Sequence, residues 1–144
     1  MASLFTDIPL KRNGGGAATA EDLKGKMVAL YFSAHWCPPC REFTPKLKKF
    51  YEEAVNAGLE IVFISWDNTA KDQEAYLNKA HGNWLYIPHG DAGIEKLNKK
   101  YNMRGVPWLV LLNNDGSKAI NDVVDDVEDL TVKDALKKWA DKVV

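Results

Sequence analysis

Apolar positions follow two different periods along this chain. Three near-continuous runs, Met27 to Phe32, Leu59 to Trp66 and Val106 to Leu112, are rich in Val, Ile, Leu and aromatics and predict strands buried on both faces. Between and after them the spacing becomes helical. Phe43, Leu47, Phe50, Tyr51 and Ala54 fall on one helix face, and Val132, Ala135, Leu136, Trp139, Ala140 and Val143 fall on another, behind a Thr131 cap. Two weaker helices fit Lys71 to Lys79 and Asp91 to Tyr101, the second with Ile94, Leu97 and Tyr101 on one side and Asp91 as its cap. A short strand fits between them. Asp115-Gly116 is a turn signal with a less apolar return at Ala119 to Val124, and Phe5 to Leu10 reads as an edge strand. This alternation predicts an α/β domain with a mixed sheet between helix layers.

At 144 residues and 46% hydrophobic, the chain suffices for one domain with its own core, residues 1–144. Its loosest stretch, Asn13 to Thr19 with three glycines, sits too near the start to divide domains. Nineteen Lys and Arg against twenty Asp and Glu leave a net charge of -1, so no global basic excess attracts nucleic acid or an acidic membrane. The apolar runs fall short of the ~20 residues that cross a bilayer, and Met1 to Asp7 has neither the basic start nor the apolar core of a signal segment. A soluble intracellular protein is expected. Asp122, Asp125, Asp126, Glu128 and Asp129 read as a solvated acidic loop, with a partner-docking patch as the alternative.

The chemistry concentrates at Cys37 and Cys40, the only cysteines. They lie between the first apolar strand and the helix whose face begins at Phe43. A bridge between them would close a four-residue loop, for which loop entropy gives roughly 2 kcal/mol, so structural stapling is a poor reason for the pair. If Cys37 caps the helix, its sulfur faces the positive end of the helix dipole, which can lower a cysteine pKa from about 8.5 to ~3.5–7.5. Pro38 and Pro39 then fill the first two helical positions, where a missing N–H costs little. The remaining donors to the Cys37 sulfur are the N–H and thiol of Cys40. Zinc binding with His35, His81 or His89 is an alternative that lacks a second ligand pair, and two ordinary core cysteines are another. Dithiol–disulfide chemistry is the leading reading.

The stretch Tyr31-Phe32-Ser33-Ala34-His35-Trp36-Cys37-Pro38-Pro39-Cys40-Arg41-Glu42-Phe43-Thr44-Pro45 resembles the nucleoredoxin and tryparedoxin branch of the thioredoxin superfamily. Ile64-Ser65-Trp66-Asp67 and His81-Gly82-Asn83-Trp84, followed by Ile87-Pro88, carry the resemblance across Val28 to Gly116. It implies a thioredoxin fold: a central mixed β-sheet flanked by helices on both faces. It also implies a kink at Pro45, a cis bond at Val106-Pro107 facing the cysteines, and a Val106 backbone offered to an incoming substrate strand. Trp108 stands where the family commonly has threonine, and reads as a core aromatic or a local contact of that loop. Six residues before Cys37, thioredoxins proper place a buried aspartate that helps take the resolving thiol's proton. Here the residue is Tyr31, a poor base near neutral pH, as on the tryparedoxin side of the family.

By the same resemblance, Cys37 is the nucleophile that attacks a target disulfide and Cys40 the resolving thiol. Trp36 becomes a platform beside the sulfur, with His35, Arg41 and Trp66 around the pair; Arg41 either supports the thiolate or is simply solvated. Protein disulfides are the implied substrates. A flavoenzyme reductase or a low-molecular-weight thiol is the implied electron donor, with no metal or organic cofactor, no membrane and no direct nucleic-acid binding. A glutaredoxin is disfavoured because Leu109 to Asn114 lacks the glutathione-binding glycines. An isomerase of the endoplasmic reticulum is disfavoured because the chain ends in Lys142-Val143-Val144, without a retention signal. A redox-sensing interaction module for signalling or transcription proteins is the rival from another class. The expected compartment is the cytoplasm, with the nucleus as a second.

Overall fold

The computed structural model describes residues 2–16 and 18–143; Met1, Ala17 in the glycine loop, and Val144 lie outside them. Six strands form one sheet in the order β1-β4-β3-β2-β5-β6. The strands are β1 (Lys11–Arg12), β2 (Met27–Ser33), β3 (Leu59–Ser65), β4 (Leu85–Tyr86), β5 (Trp108–Leu112) and β6 (Ala119–Ile120). Parallel β2, β3 and β4 form the centre, with Leu30 opposite Val62 and Val62 opposite Leu85. β5 runs antiparallel to β2, and β1 and β6 close the edges antiparallel to β4 and β5. Strands buried on both sides need apolar residues at every position, as the unbroken runs predict.

The period of two sorts those residues into two cores. Ala29, Tyr31, Ile61, Phe63, Leu109 and Leu111 point to the face covered by α1 (Pro38–Ala54), α2 (Ala70–Ala80), α4 (Val124–Asp129) and α5 (Val132–Lys142). Val28, Leu30, Phe32, Val62, Ile64, Val110 and Leu112 point to the other, where Leu97 of α3 (Ala92–Lys100) meets Phe5, Ile8 and Leu23 of the N-terminal segment. At Gly93 that approach is so close that a Cβ would lie 2.7 Å from Ile8 Cγ2. Side-chain caps begin four of the helices: Cys37 for α1, Thr69 for α2, Asp91 for α3 and Thr131 for α5. Pro45 removes the rung to the Arg41 carbonyl but lies on the exposed side of an otherwise continuous α1. None of the helices in the described residues is long and apolar enough to cross a membrane.

The structure corrects the sequence at four places. Phe5 to Leu10 is not a strand: a 3-10 turn spans Ala2–Phe5, Phe5 and Ile8 plug the core from outside the sheet, and pairing begins at Lys11. Apolarity there marks burial without a ladder. The third central strand starts at Trp108 and leaves Val106 and Pro107 outside the sheet. The return strand stops at Ile120. The acidic stretch is solvated as expected, with Asp122, Asp125, Glu128 and Asp129 exposed, but it is not a loop: Asp122 Oδ1 accepts from the Leu109 and Val124 amides at 3.2 and 3.1 Å, and Val124–Asp129 is the helix α4. Asp126 in that helix accepts from the buried Trp139 indole at 2.9 Å and from Lys138 at 2.8 Å, fastening α5. These carboxylates serve as local hydrogen-bond acceptors.

Candidate active site

At the C-terminal end of β2 the chain turns through Ala34 to Trp36 and enters α1 at Cys37. Cys37 is its N-cap, with extended backbone at φ -95 and ψ 111, and Pro38 and Pro39 occupy the first turn. Two prolines without N–H leave Cys40 as the first free amide, and it donates to Cys37 Sγ at 3.3 Å. The Cys37 thiol in turn donates to the Val106 carbonyl at 3.7 Å, and the Val106–Pro107 bond is cis. The cysteines are unbridged and pack with Ala34, Trp66 and Val106. Cys37 is only 4% exposed and Cys40 is 0% exposed. The strand-side packing and the proline loop roof the first thiol, so access to it is narrow.

Trp36 is 52% exposed, and its indole N–H donates to the Trp66 carbonyl at 2.9 Å. Trp66 is half-buried and its own indole donates to Asn98 of α3 at 2.9 Å. His35 stacks on Tyr76, with ring centroids 5.2 Å apart. Arg41 is exposed on the first turn of α1. Tyr31 is fully buried and its hydroxyl meets Thr44 at 2.6 Å, while burial pushes its ionisation far above the usual tyrosine range. Burial, then the Cys37 sulfur, pushes the Cys40 thiol up to about 12, against stabilising hydrogen bonds from Ser33 and Ala34. Among the described residues no three His, Cys, Asp or Glu side chains gather as a metal site.

Four residues around the site escaped the sequence reading of roles: Ser33, Thr44, Asp67 and Tyr76. Polar residues on buried positions are the signal that could have found them: Ser33 closes an apolar run, and Thr44 sits one turn beyond Cys40 on the buried face of α1. Asp67 is 6% exposed, accepts from the His35 amide at 2.7 Å and from the Ser65 hydroxyl at 2.7 Å, and so pins the turn that carries Trp36 and Cys37.

With the sheet order, the capped Cys37, the buried Cys40 and the cis loop in place, the sequence profile of the Thioredoxin-like family matches residues 25–118. The chain belongs to the thioredoxin-like family. Tryparedoxin of Trypanosoma brucei brucei is 39% identical over 118 residues, covering 77% of this chain and 81% of that protein. Nucleoredoxin of Homo sapiens is 39% identical over 111 residues, covering 75% of this chain and 25% of that protein, so the chain spans about a quarter of the nucleoredoxin's length. A solved thioredoxin from Wuchereria bancrofti matches with a TM-score of 0.79 at 41% identity, covering 94% of this chain and 96% of that one.

In this thioredoxin-like chain the family match includes Asp67 but stops before α4 and α5. Asp67→Ala would leave the half-buried His35 amide and the buried Ser65 hydroxyl without their acceptor, and is expected to cost about 1–3 kcal/mol of unfolding free energy. Urea denaturation measures it. A midpoint equal to wild type would show that the turn holds without this carboxylate.

Proposed function

We propose that this thioredoxin-like chain is a dithiol–disulfide oxidoreductase that reduces protein disulfides through Cys37 and Cys40. The observation that carries the reading is the inequality of the pair. Cys37 lies against the Val106 carbonyl beside an exposed tryptophan, whereas Cys40 is sealed behind it with its thiol pushed up to about 12 by burial. The Cys37 thiolate attacks one sulfur of a target disulfide, a Cys37–target bond forms, and the electron pair of the broken bond leaves on the other target sulfur, which takes a proton. Cys40 then attacks Cys37, the intramolecular bridge forms, and the second target sulfur is released as a thiol. Two electrons have moved from the dithiol to the target.

Pro38 and Pro39 stiffen the turn, and the Cys40 amide supports the Cys37 sulfur at 3.3 Å. Val106 lies outside β5, ahead of Trp108 and its partner Phe32, so its backbone is free of the sheet ladder and available to an extended target segment crossing the Cys37 sulfur. Trp36 supplies an apolar platform for that segment, with Pro107 and Trp66 bordering it. Tyr31 takes the place of an acid and contributes a hydroxyl in its stead. A flavoenzyme reductase or a low-molecular-weight thiol restores the dithiol.

The test is reduction of insulin by the purified chain, driven in parallel by dithiothreitol, by glutathione, and by a thioredoxin reductase with NADPH. Catalysed precipitation of insulin chains above the donor-only rate is expected with at least dithiothreitol, and the other arms identify the donor. Negligible turnover in all three, with redox-dependent affinity for partner proteins, would replace this reading with that of an interaction module.

A further inference from the structure

The last rung of the β2–β5 ladder is Phe32 opposite Trp108, and both walls of the cleft lie beyond it. One wall is the turn from Ser33 to Cys37, the other the loop from Met103 to Pro107. Behind Cys40 the first wall is held by hydroxyl groups. Ser33 of β2, Thr44 of α1 and Tyr76 of α2 cluster with Tyr31; Thr44 donates to the Cys40 carbonyl at 2.7 Å, and the Tyr76 hydroxyl lies 3.4 Å from the same carbonyl. These bonds end on the α1 side and leave the spacing of the two walls to something else.

Trp66 supplies the first half of that tie. Its amide donates to the Ser33 carbonyl at 2.8 Å and its carbonyl accepts from the Trp36 indole at 2.9 Å, so its backbone belongs to the cysteine wall. Its side chain packs against the cysteine pair, and its indole N–H reaches Asn98 Oδ1 in α3 at 2.9 Å. An indole N–H only donates, so the Asn98 amide must present its oxygen there, which fixes the orientation of that side chain.

The backbone of the same asparagine governs how the chain leaves α3. The Asn98 carbonyl accepts from the Met103 amide at 2.8 Å and the Lys99 carbonyl from the Asn102 amide at 3.2 Å, with Asn102 left-handed at φ 53. These are the paired bonds of a Schellman cap, with asparagine in the position that glycine usually takes. Val106 follows three residues after Met103, its carbonyl against the Cys37 thiol. α3 is a firm post for this, since Leu97 is fully buried and Gly93 meets Ile8 too closely to admit a Cβ. Hydrogen bonds thus run without a break from Trp36 through Trp66 and Asn98 to Met103, and Asn98 fastens both walls, one by its side chain and one by its main chain.

We propose that Asn98 is a positioning residue for target binding: its amide brackets Trp66 to the end of α3 and holds the Val106 backbone at the spacing from Trp36 and Cys37 that an extended target segment needs. This rests on the reading of the chain as a disulfide reductase that receives its target along Val106. Asn98 acts through Trp66 and the loop, while exchange stays with the two cysteines. Without the bracket the loop takes several positions, and ordering it at each encounter opposes target binding. A small disulfide that needs no backbone partner is spared that cost.

The test follows insulin reduction by the full chain with dithiothreitol over a series of insulin concentrations. In parallel, the reduced protein is mixed with 5,5′-dithiobis(2-nitrobenzoate), whose first release of thionitrobenzoate reports attack by Cys37. Asn98→Ala is expected to raise KM for insulin about fivefold, the effect of losing one neutral hydrogen bond, with kcat within about twofold of wild type. Its first release from the small disulfide should run at the wild-type rate or faster. Asn98→Asp keeps an oxygen toward the indole and should restore the wild-type KM, whereas Asn98→Leu keeps only the bulk and should behave like Asn98→Ala. In a Trp66→Phe background, which lacks the indole N–H, Asn98→Ala should add nothing. A wild-type KM in Asn98→Ala would overturn the bracket. So would rescue by Asn98→Leu but not by Asn98→Asp, an additive effect with Trp66→Phe, or a slower first release in Asn98→Ala. A wild-type chain that leaves insulin intact would instead overturn the reductase reading on which the bracket rests.

Discussion

Cys37→Ser is expected to abolish disulfide reduction, whereas Cys40→Ser should still attack its target and then stall as a covalent mixed disulfide. The difference in activity between wild type and either variant should exceed a hundredfold, since exchange proceeds only by thiolate attack and neither serine supplies one. Position separates the two outcomes. Cys37 caps α1 against the Val106 carbonyl at the rim of the site, and Cys40, one turn further along and 0% exposed, can reach only a sulfur already joined to Cys37. Without Cys40 the next thiol must come from solution, so the adduct should accumulate when external thiol is scarce and vanish when dithiothreitol is added. Non-reducing gels of a cell extract passed over each variant read this directly. More targets retained by Cys37→Ser than by Cys40→Ser would reverse the roles.

Acid should destabilise the fold well before the carboxylates as a group are protonated, and His81 should be the main cause. Its ring is 5% exposed among Tyr31, Phe63, Tyr76 and Trp84, and burial, with His35 adding repulsion, lowers its pKa from 6.5 to about 3. The folded state therefore keeps this imidazole neutral while the unfolded chain protonates it. Its contribution is fully present above pH 6.5 and is lost as pH falls from there toward about 3. By pH 4 the loss is on the order of 3 kcal/mol, a large part of an ordinary domain's stability. His81→Gln keeps an acceptor for the Trp84 indole and removes the titration, so its urea midpoint should change far less between pH 7 and pH 4. An equal drop in both proteins would assign the acid sensitivity to other groups.

Much of this was legible in the residues themselves. The central strands and the four longer helices follow from period alone, because each has one face or both faces buried and no competing signal. The cysteine turn was legible as well, since Pro38 and Pro39 suit only the first positions of a helix and thereby make Cys37 its cap. What period could not show was burial without pairing. Phe5 and Ile8 are as apolar as a strand, yet they serve as plugs against α3. Nor could charge show that Asp122 and Asp126 are fixed by partners thirteen residues away, the Leu109 amide and the Trp139 indole. The hydroxyl cluster depends on three elements distant in sequence meeting behind Cys40, a juxtaposition that only the fold creates. The shallow burial gradient between the two sulfurs belongs to the same class, as it is set by how the Val106 loop folds back over α1.

The sheet also decides how safely this chain can be crowded. Its longest and most apolar strands, β2 and β3, are internal, and both outer strands are two residues long: β1, which is Lys11 and Arg12, and β6, which follows the Asp115-Gly116 turn. A neighbouring molecule seeking to extend the sheet meets a ladder one or two rungs long, guarded on one side by the exposed Lys11, and finds too few backbone groups to hold. The segments most able to form cross-molecular β-structure are thus withheld as long as the fold persists, and they become available only when β4 and β5 part from them. Aggregation on storage or overexpression should therefore follow the population of opened molecules rather than the total concentration of folded ones.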